Sequence, residues 1–259
     1  MRTSSEGYLR VSAKPIPKKL KHDAIVEVVF EIRFSTSTIP EVLVGRISEF
    51  GPWNDFTQSS LPLSQIPLVM RQQDPNLKYQ PVFALTNEPQ KRAVRIGANS
   101  IAYSRGMPYV GWDLFKPEVN EVILGLFTKA NDLQIERLGL RYLNALREDL
   151  HGIRSLSDLD LRIQIEDEVI TQSANLNLNF DRKTDTACIL RVATPDIVLG
   201  QVPAETAVYV DVDIFTGQDG FLTSDRAFVE DWVERAHQKE KEQFFRMLPK
   251  PTIDSLREN

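Results

Sequence analysis

Two strand-like runs, the first of them strictly alternating, constrain this chain more than any other feature. Ile25 to Phe34 reads IVEVVFEIRF, and Ile135 to Leu146 reads IERLGLRYLNAL. In the first, Val26, Val28, Phe30, Ile32 and Phe34 fall on one face, and Glu27, Val29, Glu31 and Arg33 on the other. A period of two with one apolar side is the pattern of a strand that packs on one face and is polar on the other. Each run opens a similar series: strand, helix or capped turn, several further strands, then a long amphipathic helix. The order predicts an α+β fold of two related units with curved antiparallel sheets gripping long helices. The expected division is a flexible basic arm over 1–24, a first unit over 25–134 and a second over 135–259, packed together.

Local signals place the other elements. Thr38 with Glu41 three residues on has capping-box spacing, and Pro40 suits a first helical turn. Pro52, Pro62, Pro67 and Pro75 break 52–76 into loop and one short edge strand. Val82–Leu85 and Ala93–Tyr103 read as a hairpin, and a helix is expected from Leu114 to Asn131. After a capped turn at 155–159, strands are expected at 161–166, 175–180, 187–194 and 207–215, with DRKT as the connection after the second of these. A last helix starts near Ser224 or Asp225, with Val229, Trp232, Val233, Ala236 and Phe244 as its packing stripe. His237 reads as a flank residue of that helix.

Composition excludes several chemistries. With one cysteine in 259 residues, Cys188, neither an intrachain disulfide nor a multi-cysteine metal site can form. A net charge of −5 argues against an overall basic nucleic-acid binder, although Arg95, Tyr103 and Arg105 lie near one another. No Gly-x-Gly-x-x-Gly, phosphate loop or Gly-x-Ser-x-Gly elbow occurs, and the three histidines, His22, His151 and His237, form no metal-ligand spacing. No tightly bound cofactor is expected. The opening MRTSSEGYLRVS lacks a signal-peptide core and no apolar run is long enough to span a bilayer, so no membrane contact and a cytoplasmic location are expected.

The blocks IVEVVFEIRF after a basic, proline-containing arm, AVRIGANSIAYS followed by PYVGW, RLGLRYLNAL, VYVDVDIF and FVEDWVERAHQKEKEQFF have an order and spacing that span nearly the whole chain. Together they resemble a sporadically distributed family of bacterial proteins of about this length. That family has no assigned activity, so the resemblance implies no catalytic residues. Its patchy occurrence resembles that of accessory genes on mobile or phage-defence elements. The closing MLPKPTIDSLREN departs from the acidic–apolar helical stretch with which such proteins end.

Parity collects polar residues on one side of the expected sheet. They are Glu27, Glu31 and Arg33; Arg137 and Arg141; Asn175, Asn177 and Asn179; Arg191; and Tyr209, Asp211 and Asp213. Such a face can be a solvated surface with cross-strand ion pairs. It can also bind a protein partner, a second copy of the chain or a small anionic ligand, since Arg forks suit carboxylate and phosphate. A binding or interaction component without enzymatic activity is the favoured reading. The alternative is a metal-dependent phosphohydrolase acting on a nucleotide or polyphosphate, with Glu27, Glu31, Asp211 and Asp213 holding the ion. Glu-x-x-x-Glu-x-Arg with Asp-x-Asp is loosely similar to triphosphate-tunnel enzymes, but their Glu-x-Glu-x-Lys opening is missing. Convergence of the four carboxylates in a concave site would favour the phosphohydrolase reading, and their spread over open sheet or pairing with Arg137 and Arg141 would count against it.

Overall fold

A computed structural model describes residues 16–180, 185–198, 203–217 and 222–258. The chain forms β1 (Ile25–Ser35), α1 (Pro40–Ser48), β2 (Thr57–Ser60), α2 (Leu68–Gln73), β3 (Phe83–Asn87), β4 (Arg92–Ile96), β5 (Ser100–Gly106) and α3 (Trp112–Lys129). It continues with β6 (Gln134–Arg147), α4 (Glu148–His151), β7 (Gln164–Ile165), β8 (Glu168–Val169), β9 (Asn175–Phe180), β10 (Thr186–Ala193), β11 (Thr206–Thr216), α5 (Arg226–Met247) and α6 (Lys250–Leu256). Nine strands make one antiparallel sheet in the order β2-β3-β4-β5-β1-β6-β11-β10-β9, and β7-β8 is a separate small hairpin.

The fold is thus α+β, and its strand order reads alike from the centre outward. On one side β1 pairs with β5, then β4, then β3. On the other, β6 pairs with β11, then β10, then β9. In both directions the opening strand pairs with the strand that precedes the long helix, α3 or α5. The two series meet at β1–β6, where Phe30 stands opposite Leu140. They share a single sheet because both opening strands offer a long alternating edge to each other.

Alternation decides which face is covered. Val28, Phe30, Ile32 and Phe34 of β1 are fully buried, as are Leu138 and Leu140 of β6 and Val208, Val210, Val212 and Ile214 of β11. They join one core with Leu43 and Ile47 of α1, Phe115, Val119, Val122, Ile123 and Leu126 of α3, and Val229, Trp232, Val233 and Ala236 of α5. Burying a large aliphatic or aromatic side chain stabilises by roughly 1.5–3 kcal/mol, so this shared stripe fixes which way the sheet faces.

Several local expectations need correction. Thr38 does not cap α1: the N-cap is Ile39, and the Thr38 hydroxyl accepts from the Asn131 N–H at 2.8 Å, tying the helix start to the end of α3. The single strand expected over 93–103 is two, because Gly97 turns the chain: its N–H donates to Ser100 O at 2.8 Å, and a Cβ there would stand 2.8 Å from the Gln80 carbonyl oxygen. Residues 161–166 hold only the two-residue strand β7. The helix after Gly111 starts at Trp112, two residues early, and accommodates Pro117. Of the basic arm, residues 1–15 lie outside the described residues, as does the DRKT connection. Leu20 and Lys21 are tied to α6: Leu20 bridges Arg257, and the Lys21 N–H donates to Leu256 O at 2.9 Å.

Candidate polar sheet face

On the side of the sheet opposite α1, α3 and α5, the alternate residues of β1, β6, β11, β10 and β9 stand side by side. Register makes the neighbours explicit. Glu27 is opposite Leu143, Arg33 opposite Arg137, and Val29 opposite Arg141. Arg141 is opposite Asp213, and Leu143 opposite Asp211. Asp211 is opposite Arg191, and Arg191 opposite Asn177. All the residues singled out by parity therefore lie on this one face, together with Arg95 of β4, which donates to the Ser104 hydroxyl at 2.8 Å.

Asp211 is the centre of the arrangement. Its side chain is 1% exposed. Arg141 grips it with two parallel bonds, Nε to Oδ1 at 2.7 Å and Nη2 to Oδ2 at 2.6 Å, and Arg191 Nη1 adds a third to Oδ2 at 2.8 Å. The forked contact raises the already high pKa of Arg141. The two arginine side chains remain 40% and 34% exposed. Each guanidinium has five N–H donors, so after holding Asp211 both keep several that Asp211 does not use.

A second cluster adjoins it. Arg137 Nη1 donates to Glu31 at 2.8 Å and its Nη2 lies 3.5 Å from Asp213, while Arg33 Nε donates to the same Glu31 oxygen at 2.9 Å. Arg137 also lies over the Phe215 ring, 4.7 Å from its centroid. It can lie flat because the next polar-face residue is Gly139, whose Cβ would stand 2.8 Å from Arg137 Nη1. Burial raises the Asp213 pKa and lowers that of Arg137, each moderated by the opposite charge beside it. Tyr209 is pushed up to about 12, first by burial and then by Asp211. At the far end, Tyr79 sits under the Arg33 guanidinium at 4.8 Å, and its carbonyl accepts from Ser100 Oγ at 2.6 Å.

The four carboxylates of the phosphohydrolase reading do not converge. Glu27 and Glu31 stand on β1 and Asp211 and Asp213 on β11, with β6 and its two arginines between them. Glu31, Asp211 and Asp213 are each engaged by guanidinium groups, which compete directly with a cation for the carboxylate oxygens. Among the described residues no group of three or more His, Cys, Asp or Glu is arranged to hold a metal ion. Arg105 and Tyr103, read from sequence near Arg95, point to the helical side instead, where both bind the Glu118 carboxylate, Tyr103 at 2.7 Å.

A buried polar cluster on the helical side escaped the sequence reading. His237 is 7% exposed and stacks on Trp112, ring centroids 3.8 Å apart and planes 9° apart. Its Nδ1 lies 3.2 Å from the Tyr142 hydroxyl, which is 3.4 Å from that of Tyr109. Glu240 is 5% exposed on the same helix face. Burial lowers the His237 pKa to about 4 and raises that of Glu240 to about 8. The signal was present in the spacing: 229, 232, 233, 236, 237, 240 and 244 form one continuous helical stripe, but the polarity of His237 and Glu240 hid their place in it. No helix among the described residues is long and apolar enough to cross a membrane. No protein-family model matches the chain, and no curated protein matches it.

Proposed function

We propose that the chain is a non-enzymatic interaction component that uses its polar sheet face to bind an anionic group on a partner. The observation that carries this reading is the Arg141–Asp211–Arg191 clamp. A carboxylate almost wholly removed from solvent holds two guanidiniums in place while their side chains stay partly exposed, with N–H donors that Asp211 does not use. Pre-organised forks lose less side-chain freedom on binding and match the paired oxygens of carboxylate or phosphate. Pairing of Glu31, Asp211 and Asp213 with arginines favours binding over metal-assisted hydrolysis. The resemblance to sporadically distributed bacterial proteins is consistent with an accessory role of this kind, as part of a mobile-element or phage-defence system.

The test is a titration of the isotope-labelled chain with inorganic phosphate and, separately, with a hexaglutamate peptide, following the arginine Nε–Hε resonances. Saturable shifts are expected at Arg141 and Arg191 and not at Arg46, whose guanidinium serves the Lys129 carbonyl on another surface. Uniform or non-saturating shifts across all arginines would overturn the reading. Phosphate binding without peptide binding would identify a small anion as the ligand; the reverse would identify an acidic protein segment.

A further inference from the structure

Among the described residues the sheet ends on β9, whose only partner strand there is β10. The Thr194 N–H donates to Ala174 O at 3.0 Å, and the Ala174 N–H to Thr194 Oγ1 at 3.1 Å, so residue 174 directs its backbone toward β10. In an antiparallel ladder that direction repeats every second residue. Leu176, Leu178 and Phe180 therefore bond to β10, and Asn175, Asn177 and Asn179 aim their N–H and C=O groups outward from the sheet. The side chains of the same three asparagines are exposed.

Edges of this kind are usually blunted by charge, proline, a bulge or brevity. The opposite edge, β2, is only four residues long and is followed closely by Pro62. β9 has six residues, NLNLNF, with no charge and no proline, and its register with β10 runs without a shift.

We propose that β9 pairs antiparallel with β9 of a second copy, centred on Asn177. The occupant is argued from the strand itself. Its first five residues read the same in both directions, so the outward-facing positions of two copies match. Asn177 meets its equivalent and Asn175 meets Asn179, each pair bringing together side-chain amides that both donate and accept. Leu176 meets Leu178 on the apolar face. Across the twofold the polar row runs Asp211, Arg191, Asn177 and then the same residues in reverse. With strands ~4.8 Å apart, the two Arg191 backbones stand three spacings apart, about 14 Å. The dimer would present two anion clamps on one continuous surface. The pairing does not depend on the clamps: a chain that dimerises without binding anions, or binds them as a monomer, separates the two readings.

A short strand pair buries less than a standard interface, so the chain should be examined by sedimentation equilibrium up to about 100 μM, the range of weak association. The wild-type chain is expected to approach twice its monomer mass. Asn177→Pro removes an outward N–H that β10 does not use, and Asn177→Lys places two like charges face to face on the twofold. Both variants are expected to remain monomeric with unchanged circular dichroism. Should the proline variant lose its fold, the lysine variant decides, since its side chain replaces an exposed one. A monomeric wild type at that concentration, or a dimer that persists in the lysine variant, overturns the proposal.

Discussion

Glu240 and His237 are one helical turn apart in the same buried cluster, yet their stability contributions have opposite dependence on pH. The folded Glu240 carboxyl is raised from 4.5 to about 8, because burial outweighs the attraction of Lys241. Between those values the folded state holds a proton that the unfolded state has released, so stability falls as pH rises. The His237 ring is lowered from 6.5 to about 4 by burial, with Lys241 adding to the effect. There the unfolded state holds the extra proton, and stability rises with pH until 6.5. The two nearly cancel below pH 6.5, and from 6.5 to 8 the Glu240 term stands alone. Urea unfolding should show stability declining by up to about 1.4 kcal/mol per pH unit over that upper window. Glu240→Gln should remove the decline. An unchanged slope in the variant would show that the carboxyl is not held protonated.

Elements reveal which sequence signals were sufficient. The α5 stripe was legible because 3–4 spacing states a helix face directly, and Val229, Trp232, Val233, Ala236 and Phe244 are all buried. Trp232 is 1% exposed. Trp232→Ala should therefore cost about 3–5 kcal/mol in denaturant unfolding, and a loss below about 1 kcal/mol would contradict its place in the core. His237 and Glu240 were illegible for the opposite reason: side-chain polarity masked positions that spacing included. Parity made the polar face legible, since a period of two assigns Glu31, Arg137, Asp211 and their neighbours to a side without any knowledge of partners. It could not reveal who pairs with whom. That Asp211 sits under Arg191 and Arg141 depends on loop lengths and on the β6–β11 and β10–β11 registers, the first of which shifts between Thr206 and Val208. Likewise the Thr38 capping signal was real chemistry directed elsewhere, because the Asn131 N–H at the end of α3 lay within reach.

At the scale of the molecule, the order of elements builds one wide sheet with a helical side and a polar side that no described helix covers. The sheet places charges from β1, β6, β10 and β11 within contact of one another, although they are scattered from residue 31 to residue 213 in sequence. The central claim is that this face is a binding surface rather than a solvated one, and Arg191 tests it most directly. It contributes one bond to Asp211, whereas Arg141 supplies two and would keep the carboxylate paired in its absence. The decisive measurement compares hexaglutamate and phosphate affinity, together with melting temperature, between the wild-type chain and Arg191→Gln. The account predicts an unchanged melting temperature and an affinity at least about tenfold weaker for whichever probe binds, the size expected when a charge-assisted bond of ~1.5–3 kcal/mol is lost. A variant that melts several degrees lower while binding as the wild type does would show the clamp to be a structural ion pair, and would contradict the account.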